Sequence, residues 1–154
     1  MKVKKIFKKL LMIGVITPVF TASATCSVSL DAIYFGNYNP FKDTDVLSSS
    51  KASVTCSAPT SYTLKMRTGT SGNVYYRYMT NTIYPEKNTP LRYGLFLDSA
   101  RSIVWGDGTG ITQVFQGSTN EGVPDNIVIY GKIYKLQNVY KGSYAESVIM
   151  ELDY

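Results

Sequence analysis

Two cysteines, Cys26 and Cys56, and the lack of any histidine decide most of the chemistry open to this 154-residue chain. Without an imidazole there is no Ser-His-Asp or Cys-His nucleophile, no nitrogen ligand for zinc and no near-neutral proton switch. Ser48-Ser49-Ser50-Lys51 satisfies the Ser-x-x-Lys spacing of acyl-transfer enzymes. It has neither a Ser-Asp-Asn nor a Lys-Thr-Gly partner, and it reads as a polar loop before a strand. Gly106-Asp107-Gly108-Thr109-Gly110 is rich in glycine, but no helix follows to receive a phosphate, so it reads as a turn. Asp98, Asp107, Glu121 and Asp125 are carboxylates that could pair for glycoside hydrolysis, and nothing brings any two to the required separation. The chain reads as non-catalytic, with no metal and no cofactor.

The elements that would carry these residues begin with a targeting segment. Residues 1–24 have a basic start, an apolar stretch from Leu10 to Phe20 and a small-residue exit, Ala22-Ser23-Ala24. That is the plan of a secretory signal peptide cleaved after Ala24. The stretch is short of the roughly 20 residues that a membrane-spanning helix needs. Lys2, Lys4, Lys5, Lys8 and Lys9 all lie in this leader, and without them the basic residues equal the 11 acidic ones. The net charge of +5 is therefore no sign of nucleic-acid binding. Residues 25–154 suit one domain. In an exported protein the two cysteines most simply pair, closing a loop of about 30 residues worth roughly 3–4 kcal/mol in the chain-entropy model.

The mature chain is patterned in twos. Residues 26–30, 52–56 and 62–66 alternate in polarity, and strands are expected again over 91–97, 126–134 and 145–154. Turn residues separate them at Asn39-Pro40, Ala58-Pro59, 69–73, 88–90, 106–110, 117–124 and Lys141-Gly142. Thirteen tyrosines, all after residue 33, add to the β bias. The expectation is an all-β sandwich. In the last segment Val148, Met150, Leu152 and Tyr154 share a face, with Ser147, Ile149, Glu151 and Asp153 opposite. As one strand of ten residues it would run roughly 33 Å. A long apolar edge strand is a liability unless something covers it.

Several stretches resemble, in order, those of the spore coat protein U domain family, the archaic (Csu-type) chaperone–usher pilus subunits. They are Ile33-Tyr34-Phe35-Gly36-Asn37-Tyr38-Asn39-Pro40, Val54-Thr55-Cys56, Arg77-Tyr78-Met79, Leu91 through Arg101, Trp105 through Thr109, Val128-Ile129-Tyr130-Gly131-Lys132-Ile133 and Gly142-Ser143-Tyr144-Ala145-Glu146. The resemblance implies an immunoglobulin-like β-sandwich lacking its last strand. It implies three partners: a periplasmic chaperone, an outer-membrane usher and a neighbouring subunit whose N-terminal extension supplies the missing strand by β-strand addition. On that view Val28 and Leu30 of the first strand, with Val148, Met150, Leu152 and Tyr154 of the last, line the complemented groove. Cleavage after Ala24 would leave only Thr25 before Cys26, so the chain would accept a strand without donating one, as a tip or minor subunit. Tyr75, Tyr76 and Tyr84, among Gly, Asn and Thr, read as a candidate adhesive loop for abiotic or glycan surfaces, with Tyr78 more suited to packing. The rival expectation is a free-standing secreted surface- or carbohydrate-binding module, or a spore coat-type protein.

Overall fold

In the computed structural model, which describes residues 23–154, period-two alternation becomes nine strands. They are β1 (Cys26–Leu30), β2 (Val46–Cys56), β3 (Thr60–Met66), β4 (Arg77–Asn81), β5 (Leu91–Phe96), β6 (Phe115–Thr119), β7 (Asp125–Ile133), β8 (Tyr144–Ala145) and β9 (Met150–Asp153). Among the described residues the only helical element is a 3₁₀ turn, Pro85–Lys87. The expected leader, apart from Ser23 and Ala24, lies outside the described residues.

The strands make two antiparallel sheets, a six-stranded one in the order β1-β2-β7-β5-β4-β8 and a three-stranded one in the order β6-β3-β9. Their inner faces meet in one core. Ala52, Val54 and Cys56 of β2, Tyr62, Leu64 and Met66 of β3, and Ile127, Ile129 and Ile133 of β7 alternate inward and are buried. Trp105 is fully buried, and its indole Nε1 donates to the Leu64 carbonyl at 3.1 Å, so the ring packs while its one polar atom is satisfied. The Tyr62 hydroxyl donates to Asp125 Oδ2 at 2.5 Å, linking β3 to the start of β7 across the two sheets. Burial and that carboxylate hold the phenol well above its usual range.

Two glycines explain why separated sequence stretches belong together. A Cβ on Gly131 would stand 2.6 Å from Ile33 and 2.7 Å from the Phe35 ring. The segment after β1 thus lies directly on the centre of β7, and Phe35 then meets Tyr93 edge-on at 6.1 Å. On β6, a Cβ at Gly117 would stand 2.5 Å from the Tyr62 hydroxyl. Only glycine leaves room for that ring to cross its neighbour strand.

Four sequence expectations are corrected. Ser48-Ser49-Ser50-Lys51 is no loop but the first half of β2, paired with β7, with Ser48 and Ser50 on the inner side and Ser49 and Lys51 exposed. Residues 117–119 belong to β6 rather than to a turn. β4 went unpredicted because its inward side chains, Arg77 and Asn81, are polar yet buried. The single terminal strand is broken: β8 pairs with β4 in one sheet, and the chain then crosses to pair as β9 with β3 in the other.

A polar cluster around Arg77 and Glu146 sits at the crossing. Arg77 is fully buried and donates to the carbonyls of Arg67 (2.6 Å) and Met66 (3.1 Å). Tyr93 donates its hydroxyl to Glu146, and Thr70 Oγ1 donates to the same carboxylate at 3.0 Å. Glu146 sits one residue after β8, so its bond to buried Tyr93 holds the chain where it leaves one sheet for the other.

Candidate functional site

Four strands are edges among the described residues, β1 and β8 in the larger sheet and β6 and β9 in the smaller, and of these β1 and β9 carry the groove residues singled out from sequence. β1 is fastened at its first residue: Cys26 and Cys56 are register partners and are disulfide-bonded, as the cysteine count led one to expect. β9 is held on its outer face by Lys65–Asp153 and by Arg67–Glu151 at 2.5 Å. Both pairs are solvent-accessible and act more on register than on stability.

The inner faces of these strands carry the residues singled out from sequence. Val28, Val148, Met150 and Leu152 are half-buried and pack against the common core. Leu30 lies on the same face of β1 as Cys26 and Val28 and opposite buried Ala52, yet it is 46% exposed. A leucine on a core-facing position with nearly half its surface in water marks a core that is not closed there. Tyr154 falls beyond the last register pair, is exposed, and lies with Ser61, Thr63 and Gln116 along a shallow depression on the three-stranded sheet. It does not join Val148, Met150 and Leu152 against the core.

A deeper cleft of about 750 Å³ opens between residues 33–38 and 139–144, with buried Met79, Leu91 and Ile133 along it. Its Ile33, Phe35, Tyr38, Val139 and Tyr144 are again half-buried and packed on the core. None of these was assigned to the groove from sequence. Their signal lies in the aromatic residues around Gly36, which local alternation does not rank as strand or core.

The tyrosines divide into two groups. Tyr75 and Tyr76 are exposed and meet edge-on at 4.7 Å, while Tyr84 is half-buried and packs against Tyr140 at 5.3 Å beyond the other end of β4. Tyr78 is half-buried on β4, its hydroxyl 3.4 Å from the Thr70 carbonyl. The expected single loop is thus two separate surfaces. The glycine-rich stretch is a turn in which Asp107 Oδ1 accepts from Thr109 N (3.0 Å) and Oγ1 (2.6 Å), which lowers the Asp107 pKa.

Comparison with known proteins adds three findings. None of the curated proteins matches the chain. One chain of the crystal structure of the CsuC–CsuE chaperone–tip adhesion subunit pre-assembly complex, from archaic chaperone–usher Csu pili of Acinetobacter baumannii, shares the fold with a TM-score of 0.58 at 23% identity. The match covers 87% of this chain and 40% of that one, so this chain spans less than half of its length. The model of the Spore Coat Protein U domain matches residues 14–151, and with nearly the whole sandwich inside that match, the chain belongs to the Spore Coat Protein U domain family.

Proposed function

We propose that this protein is a non-catalytic subunit of a surface pilus, exported to the periplasm and completed there by a strand from another chain. The observation that carries the reading is Leu30, core-facing on edge strand β1 yet 46% exposed, with β9 an open edge of the other sheet. A donor strand laid along these edges would satisfy edge backbone groups and cover the apolar side chains with its alternate residues. A periplasmic chaperone would supply that strand first. A neighbouring subunit would replace it at an outer-membrane usher. The groove residues are Val28, Leu30, Val148, Met150 and Leu152, extended by the cleft along Ile33, Phe35 and Val139.

The test is thermal unfolding of residues 25–154, alone and with an alternating apolar donor peptide. A large upward shift in melting temperature is expected. A chain already stable and indifferent to the peptide would instead be a free-standing secreted module. Position within a pilus depends on processing. The family match begins at residue 14, inside the segment read as leader. A mature chain starting at Thr25 would act as a tip or minor subunit that accepts but does not donate, with a role in adhesion and biofilm formation. Intact mass of the exported protein decides this, because a start well upstream of Thr25 would leave a segment able to donate.

A further inference from the structure

The solvent face of the six-stranded sheet carries an arrangement that strand complementation does not use. Arg92, outward on β5, places its guanidinium 4.8 Å from the ring centre of Tyr76 and 5.2 Å from that of Tyr134. Two tyrosines thus flank one arginine, and Tyr75 stands edge-on to Tyr76 beyond them. Among the described residues Arg92 makes no ion pair, and its backbone is occupied separately by Gln137. Rings against the guanidinium leave its edge, with its fork of N–H donors, turned to solvent. The nearby acid, Asp45, is engaged by Lys132 at 3.9 Å and by the Lys135 amide at 2.9 Å.

The same Tyr75 and Tyr76 also wall a shallow cleft of about 680 Å³ between residues 68–76 and 107–112. Its other lining mixes polar Thr68, Asn73 and Asp107 with apolar Val74 and Ile111. The surface therefore has a polarity: a cationic fork at one end, aromatic faces between, and at the other end the Asp107 carboxylate, which accepts hydrogen bonds from hydroxyls, as it already does from Thr109, and repels an anion.

We propose that this surface binds a carboxylated saccharide, with the uronate carboxylate on Arg92, a pyranose ring against Tyr76 and Tyr75, and the hydroxyls of a following sugar toward Asp107. Charge complementarity selects the carboxylate, since Arg92 has no acidic partner and is flanked by the rings of Tyr76 and Tyr134. The flanking rings suit the C–H faces of a sugar, and Asp107 disfavours a uniformly acidic polymer. Arg92 is exposed between buried Leu91 and Tyr93, on the face of β5 turned away from the core, so filling the groove leaves this face uncovered. The inference deepens the adhesive part of the proposed function and is independent of its assembly part.

The test uses the full chain as exported, isolated from the periplasm, with titration calorimetry against galacturonic and glucuronic acid oligosaccharides. The comparison probes are their carboxyl-reduced counterparts and poly-L-glutamate. The uronate chains should bind about tenfold or more tighter than the reduced ones, and Arg92→Gln should remove that difference. Tyr76→Ala should weaken both forms. Arg92→Lys, which keeps the charge and the β5 backbone, should lose several-fold, and it carries the test if Arg92→Gln does not fold. Lys87→Gln, on the separate Tyr140 surface, should change nothing. Equal binding of reduced and uronate chains, unchanged binding in a folded Arg92 variant, or equally tight binding of poly-L-glutamate would each overturn the proposal. None of these outcomes touches the donor-peptide result, so the two readings fail separately.

Discussion

Truncating Leu30 separates groove function from ordinary core stability. Fully burying a leucine is worth roughly 1.5–3 kcal/mol relative to leaving it in water. At 46% exposure, about half of that is realised in the free subunit and roughly 0.7–1.4 kcal/mol remains to be gained when a strand covers the groove. Leu30→Ala should therefore lower the melting temperature of the free domain by about 3–6 °C and that of the complemented domain by about twice as much. The difference should appear as a three- to tenfold weaker donor peptide, using about 1.4 kcal/mol per decade. Ile149→Ala is the matched control, because Ile149 is 70% exposed on the opposite face of the terminal segment. It should leave donor affinity unchanged. The assay is a pair of thermal melts with and without peptide, and calorimetric titration of the peptide. Equal effects of the two substitutions on donor affinity, or a Leu30→Ala effect confined to the free domain, would refute the assignment of β1 to the groove.

Three further outcomes follow from the core. Replacing Cys26 and Cys56 together by serine should cost roughly 3–4 kcal/mol, read as a fall in melting temperature of about 10–15 °C, because the closed loop spans 30 residues. Tyr93→Phe removes the hydroxyl that donates to Glu146 beside buried Arg77, and should lower the urea midpoint by the equivalent of about 1.5–3 kcal/mol while leaving far-ultraviolet dichroism intact. Tyr62 and Tyr93 are both held above the usual phenol range, chiefly by burial and then by the carboxylates of Asp125 and Glu146. A pKa raised in the folded state gives stability that is complete below the unfolded value, about 10, and is lost as pH rises beyond it. Absorbance at alkaline pH should show these two phenols ionising only as the chain unfolds, and their early titration in a folded chain would contradict the burial argument.

How much of this could be read from the sequence depended on how far each segment declares itself locally. β1, β3 and β7 alternate and fall where period two puts them, and β5 falls within its expected segment although Tyr93 to Phe96 are all buried. The start of β2 hides because Ser48 and Ser50 stand where apolar residues are expected, and β4 hides because its inward positions hold Arg77 and Asn81. In both, long-range pairing overrides local composition. The terminal segment was half legible. Val148, Met150 and Leu152 keep their shared face, whereas the break between β8 and β9 depends on Glu146 reaching Tyr93, 53 residues away in sequence. The aromatic cleft beside Gly131 depends likewise on Phe35 landing on a strand almost a hundred residues later. No window of local pattern contains both partners. The split of the tyrosines is of the same kind, since Arg92 and Tyr134 come to Tyr76 only through the β5–β4 and β5–β7 pairings.

The disulfide at the first register pair of β1 also has a mechanical meaning. Tension applied at Thr25 enters through Cys26 and passes by the sulfur–sulfur bond straight into Cys56, the last residue of β2. The hydrogen bonds between β1 and β2 are bypassed, so β1 cannot be unzipped from that end while the bond is intact. β2 is paired with β7 along nine consecutive register positions, from Val46↔Ile133 to Val54↔Asp125. A pull delivered there is spread over the longest ladder in the molecule. Reduction would reroute the same pull through β1, whose five pairs can open one after another from the pulled end.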